Sequence, residues 1–217
     1  MLVLNDIHHL YPDGESTREV LTLPHWEIAD GEQWALIGPS GSGKSTLLHC
    51  IAGLITPTRG TVTLDDECIS AATEEVRARR RGESLGYVLQ QFNLLSSLTV
   101  MDNVRAGAYF GRTAASDDEI TALLTELGIA HLAGSRSDRL SMGEQQRTAI
   151  ARALIKRPRY LLADEPTANL DRDNTKRIID ILLQYSRTTG ATLIVATHDP
   201  AVMAHFARQL QLPQGGI

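Results

Sequence analysis

The nine residues GPSGSGKST, Gly38 to Thr46, constrain the fold of this chain more than any other stretch. They follow the apolar run WALIG directly, and a helix is expected from about Lys44. A strand that feeds a glycine-rich turn into a helix is an α/β building block. The run completes the phosphate-loop pattern G-x-x-x-x-G-K-[ST]. Gly38, Gly41 and Gly43 let the backbone wrap a phosphate with its amides pointing inward, and Pro39, Ser40 and Ser42 fill the positions between. The helix start adds the positive end of its dipole. Lys44 brings a point charge for the β- and γ-phosphates. The Ser45 hydroxyl suits a Mg²⁺ ligand, with Thr46 beside it.

Four short apolar runs read as buried strands: Trp34–Gly38, Leu85–Leu89, Tyr160–Asp164 and Thr192–Thr197. Three of them end in polar clusters, and ligands of open α/β sheets sit at carboxyl strand ends. In YLLADEPT, Asp164 and Glu165 point in different directions and can take different tasks. Asp164 would hold Mg²⁺ through water, and Glu165 would polarise the attacking water as a base. Thr197-His198-Asp199 closes a third strand, so His198 is expected to touch the γ-phosphate and orient that water. The other six histidines read as surface or packing residues.

The first 30 residues read as short antiparallel strands with turns at Pro12-Asp13-Gly14 and Asp30-Gly31. Gly60–Asp66 reads as a further strand and turn. Leu98 to Lys156 is mostly helical, with Thr99 and Asp102 as an N-terminal capping pair. Asp199-Pro200 starts a helix. The expected fold is α/β: a phosphate-loop core, a small antiparallel β lobe within about 1–30 and 60–75, and an inserted helical lobe over about 92–156. All of it forms one domain over 1–217.

Composition excludes several classes. The net charge of −5 gives no electrostatic reason to expect nucleic-acid binding. Cys50 and Cys68 fit neither a metal spacing nor a disulfide framework. No apolar run approaches the roughly 20 residues that cross a bilayer, and MLVLNDIHHLYPDGE lacks a signal pattern. The expected compartment is the cytoplasm, with any membrane role exercised through a partner. The stop after Leu212-Pro213-Gln214-Gly215-Gly216-Ile217 favours a minimal subunit without a C-terminal regulatory domain.

LSMGEQQR, Leu140 to Arg147, sharpens this reading. Ser141-x-x-Glu144 is a capping box ahead of the helix-forming run QQRTAIARALIK. Ser141 therefore stands at a helix start with free amides and a positive dipole end, an anion site without lysine or acid chemistry of its own. With the phosphate loop and the acidic strand, this segment resembles the ATP-binding cassette (ABC) ATPases over essentially the whole chain. The resemblance implies ATP and Mg²⁺ as ligands and a second copy of the chain as partner. It implies that Tyr11 stacks on adenine and that Gln90, or Gln91 as the alternative, senses Mg²⁺ and the γ-phosphate. It implies that Ser141, Met142, Gly143 and Glu144 act on ATP held by the opposite subunit, with Ser141 and Gly143 touching its γ-phosphate. Ala168, Asn169, Leu170 and Asp171 resemble the D-loop at the dimer seam.

Met142 departs from the family's usual glycine. At the first turn of a helix φ is negative, so methionine is expected to fit, with its side chain directed away from phosphate. The competing expectation is a weakened site. Glu144 replaces the commoner glutamine.

QQFNLLSSLTVMDNV, GEQQR and LADEPTANLD resemble the lipoprotein-release, macrolide-export and cell-division branch. That implies a peripheral ATPase on the cytoplasmic face of the plasma (inner) membrane, driving an integral membrane permease for lipoprotein, lipid, peptide or drug. The alternative is an ATPase that regulates an extracellular cell-wall hydrolase through a membrane partner. Phe92, Leu94, Leu95 and Leu98 read either as a docking surface for a permease helix or as packing of the helical lobe. Arg77, Arg79, Arg80 and Arg81 read as a solvated helix face, with lipid headgroups or a partner as the alternative.

Overall fold

A computed structural model describes residues 1–14, 16–168 and 170–213. Five parallel strands form the central sheet in the order β6-β7-β8-β3-β9. They are β3 (Gln33–Ile37), β6 (Leu85–Val88), β7 (Tyr160–Asp164), β8 (Thr192–Thr197) and β9 (Arg208–Gln211). Every residue of β7 and β8 is buried, as strands covered on both faces require. The four apolar runs read from the sequence are four of these strands, each within one residue of its expected start and end. The fifth, β9, has no apolar run: RQLQ is mostly exposed and pairs only with β3, at the sheet edge.

The antiparallel sheet runs β2-β1-β4-β5, with β1 (Leu2–Asp13), β2 (Ser16–Ile28), β4 (Arg59–Leu64) and β5 (Glu67–Cys68). The expected short strands are a hairpin of 12 and 13 residues. A register shift between His9 and Leu10 lets one long strand stay amphipathic while it twists. Trp26 of β2 meets Trp34 of β3 edge to face at 5.4 Å and locks this sheet to the central one. A core containing Leu4, Ile28, Leu47 and Leu162 fills the space around α1 (Lys44–Ile51).

A second core lies on the opposite face of the central sheet. It gathers residues of α3 (Val100–Phe110), α4 (Asp117–Glu126), α5 (Met142–Leu154), α6 (Arg172–Thr189) and α7 (Pro200–Met203). The caps read from sequence are present: Thr99 accepts from the Asp102 amide at 3.1 Å, and Asp199 from the Ala201 amide at 2.8 Å. Asn103, fully buried, bonds to the Leu95 amide and to the carbonyls of Leu95, Leu98 and Thr99. That knot ties the segment after Gln90 to α3. The basic run lies on α2 (Glu74–Glu83), where it is not simply solvated. Arg77 and Arg81 pair with Glu74, Arg80 pairs with Glu67, and Arg81 also donates to the Gly53 carbonyl.

Candidate active site

A cleft of about 510 Å³ opens at the carboxyl ends of β3, β7 and β8. The residues expected to meet there largely do. Pro39, Ser40, Gly41, Gly43, Lys44, Ser45 and Thr46 line it together with Gln90, Asp164, Glu165, Ala168 and His198. Gly38 and Ser42 complete the loop, and the Ser42 hydroxyl is buried without a partner among the described residues. Gly43 caps α1 in the left-handed region at φ 89°, and a Cβ there would overlap the Val20 carbonyl oxygen. The loop therefore lies directly against β2, and Arg18 and Val20 join the lining. Neither was visible from the sequence, because only the hairpin's length brings them back over the loop.

The charges converge. Lys44 is buried and donates to the carbonyls of Gly38 at 2.8 Å and Pro39 at 3.1 Å. Its Nζ also lies 3.8 Å from Glu165 Oε1, which hydrogen-bonds His198 Nδ1 at 2.8 Å. Glu165 itself sits at φ 47°, an uncommon position for a residue with a side chain, and its amide donates to the Ala196 carbonyl. The Glu165 side chain is thereby placed beside Lys44 and His198.

Asp164 is 3% exposed and its Oδ1 has no partner among the described residues. Burial pushes its carboxyl above the ordinary range, and the Glu165 charge adds to this. A hydrogen bond from Ser45 and the charges of His49 and Lys44 pull it back. An orphaned, hydroxyl-flanked buried carboxylate fits a hard divalent cation, which prefers oxygen ligands. His49, on α1, packs edge-on to the Tyr87 ring at 5.9 Å, in keeping with its reading as a packing residue, and contributes to the Asp164 site only through its charge. His8, read as a surface or packing residue, lies on the outer hairpin between Glu19 Oε1 at 2.7 Å and Asp6 Oδ1 at 3.2 Å.

Tyr11, the Ser141–Glu144 turn and the D-loop residues Leu170 and Asp171 lie outside the cleft lining. Tyr11 stands opposite Arg18 in the hairpin, 40% exposed, with its ring edge-on to His9 at 4.7 Å. Ser141 caps α5, and Glu144 Oε2 accepts from both its amide and its hydroxyl at 2.8 Å. Met142 is the first residue of α5, has no positive φ and is 55% exposed, as its helical position predicts. Gly143 packs close to Leu170, and Asp171 caps α6 by accepting from the Asn174 amide. Of the D-loop, Asn169 falls outside the described residues.

Known proteins are similar to this chain over nearly its whole length. The ABC transporter family model matches residues 21–168. An ABC transporter ATP-binding protein of Mycobacterium tuberculosis is 41% identical over 98% of this chain and 86% of its own length. The lipoprotein-releasing system ATP-binding protein LolD of Hydrogenovibrio crunogenus is 40% identical over 99% of this chain and 94% of its own. Among solved structures, a dimeric post-hydrolysis state of the ATP-binding cassette MJ0796, bound to ADP and Pi, superposes with a TM-score of 0.94. It is 34% identical and covers 99% of this chain and 95% of its own. A second dimeric structure of MJ0796, a bacterial ABC transporter cassette, matches with the same TM-score at 33% identity and the same coverage. The chain belongs to the ABC transporter ATP-binding family. It is an ATP-hydrolysing cassette, and among its described residues no helix is long and apolar enough to cross a membrane.

Proposed function

We propose that this ATPase works as an ATP-dependent dimer of two copies of the chain and drives a separate integral membrane permease. The observation that carries the reading is a division of labour. One cleft gathers Lys44, Ser45, Asp164, Glu165 and His198, while an exposed helix start at Ser141 offers anion-binding geometry outside that cleft. An ATP seated in one copy would then be gripped by Ser141 and Gly143 of the other, with Met142 and Glu144 completing that turn. Ala168, Leu170 and Asp171 would follow the seam.

Within the cleft, the loop amides from Gly38 to Thr46 and Lys44 hold the phosphates. Ser45, Asp164 and Gln90 would hold Mg²⁺, which when bound would neutralise charge on the β- and γ-phosphate oxygens. Glu165 accepts a proton from the attacking water. His198, already bonded to Glu165, orients that water and contacts the γ-phosphate. Tyr11 stacks on adenine at the open edge beside Arg18.

We take residues 1–217 as one nucleotide-binding domain whose helical lobe, about 92–156, faces the permease. A groove of about 350 Å³ on that side is lined by Leu54, Tyr87, Leu89, Leu95 and Phe110. Leu95 alone of the four expected docking residues lines it. Phe92 and Leu94 line a separate depression with Gln91 and Gln145, and Leu98 is half-buried. The complex would sit on the cytoplasmic face of the inner membrane and act in export or force transmission on a lipoprotein, lipid, peptide or drug. The likeness to LolD supports the release branch.

Glu165→Gln tests the reading. That variant should bind ATP, turn over at least about 100-fold slower, and elute as a dimer only with ATP. A fully active monomer would overturn it.

A further inference from the structure

The helix that bears Ser141 is bolted to the loop that bears Glu165. Gln146, on the second turn of α5, is 2% exposed, and its Nε2 donates to the carbonyl of Pro166. Pro166 immediately follows Glu165 and is itself buried. Gln146 Oε1 has no partner among the described residues, so the bond to Pro166 is the one recorded for this side-chain amide among them. A second contact lies one turn earlier. Gly143 packs against Leu170, and a Cβ on Gly143 would come within 3.1 Å of Leu170 Cδ2. Between these two points the loop turns on itself, with the Ala168 amide bonded to the Glu165 carbonyl at 3.2 Å and the Leu170 amide to that of Thr167 at 3.1 Å.

Separating helix and loop would strand a buried donor and a buried acceptor at once, which folded proteins avoid. The start of α5 is therefore tied to Pro166, the neighbour of Glu165, and to Leu170.

We propose that Gln146 is a positioning residue that couples the two ATP sites of the dimer. A phosphate gripped by Ser141 of one subunit shifts α5, and Gln146 carries that shift to Glu165 of the same subunit, which serves the other ATP. The inference rests on the dimer proposed above. Its physical content is a contiguous link between the two sites, with the equilibrium of the Glu165 loop as the element that both bias.

The test uses Gln146→Met, which keeps the volume without the donor, and Gln146→Asn, which keeps the amide but shortens its reach. Asn retains a polar side chain in case the apolar variant fails to fold. Each should lower kcat about tenfold, the expected consequence of one lost buried hydrogen bond. KM for ATP should hold, and a Hill coefficient above one should fall to about one. Placed in the Glu165→Gln background, each should still form the ATP dimer at the same ATP concentration, which a general loss of structure would prevent. Unchanged cooperativity overturns the proposal, as does loss of the ATP dimer together with kcat. A Glu165→Gln chain that never dimerises instead overturns the dimer reading, and this inference with it.

Discussion

Gly41 and Gly43 offer a matched pair for testing how the phosphate loop is held. Both lie in the left-handed region, at φ 79° and 89°. An alanine at either position bears the left-handed penalty of about 1–2 kcal/mol. They differ in what the new methyl meets. At Gly41 nothing lies within 4 Å, whereas at Gly43 the methyl overlaps the Val20 carbonyl oxygen of β2. Overpacking of this kind adds about 1–3 kcal/mol. Gly41→Ala should therefore lower Tm by roughly 2–8 °C, and Gly43→Ala by roughly 4–20 °C, at about 2–4 °C per kcal/mol for a chain of this size. Calorimetry or dye-monitored melting reads both. Nucleotide binding should separate them in the same order, because only Gly43→Ala displaces β2 and with it the cleft residues Arg18 and Val20. Equal melting temperatures for the two variants would refute the claim that the loop is seated against the hairpin.

Met142→Gly should leave steady ATPase activity within about threefold of the parent, because Met142 already has ordinary helical backbone. It should cost up to about 1 kcal/mol of stability in a denaturant titration. A large rate gain would mean that methionine handicaps the site. Lys156 gives a pH test. Burial, with the charges of Arg152 and Arg81, lowers its ammonium from 10.5 to about 8. Between those values the unfolded chain keeps the proton that the folded chain has shed, so this group makes stability rise with pH. Relative to Lys156→Met, the parent should gain about 3 kcal/mol between pH 8 and pH 10.5. Cys50, pushed up to about 12 by burial, acts in the opposite sense in both proteins and cancels from the difference. A constant difference across that range would contradict the burial account.

The parts of the fold that were legible in the sequence are those whose signal is local. GPSGSGKST carries its own turn chemistry, YLLAD and TLIVAT are apolar runs of strand length, and Thr99, Ser141 and Asp199 announce helix starts. The polar strand ends located the cleft, since a parallel sheet brings such ends together. What escaped depends on distant partners. RQLQ becomes β9 only because β3 presents a free edge. Arg18 and Val20 join the cleft because a hairpin of unexpected length folds back over the loop. Gln146 read as one more helix former, and only burial beneath the Glu165 loop reveals its bond to Pro166. The pairing of Arg80 with Glu67 and of Arg81 with the Gly53 carbonyl depends on the fold, so that part of the α2 face looked solvated in the sequence.

The central claim is that Ser141 serves the ATP of a second copy and not that of its own chain. The direct measurement compares Glu165→Gln with Glu165→Gln/Ser141→Arg, by light scattering on a sizing column and by ATP binding to the monomer. The account predicts that the single variant dimerises with ATP, and that the double variant stays monomeric while binding ATP as tightly as the single one does in its monomeric form. A double variant that dimerises equally well, or one whose monomer has lost ATP affinity, would contradict it.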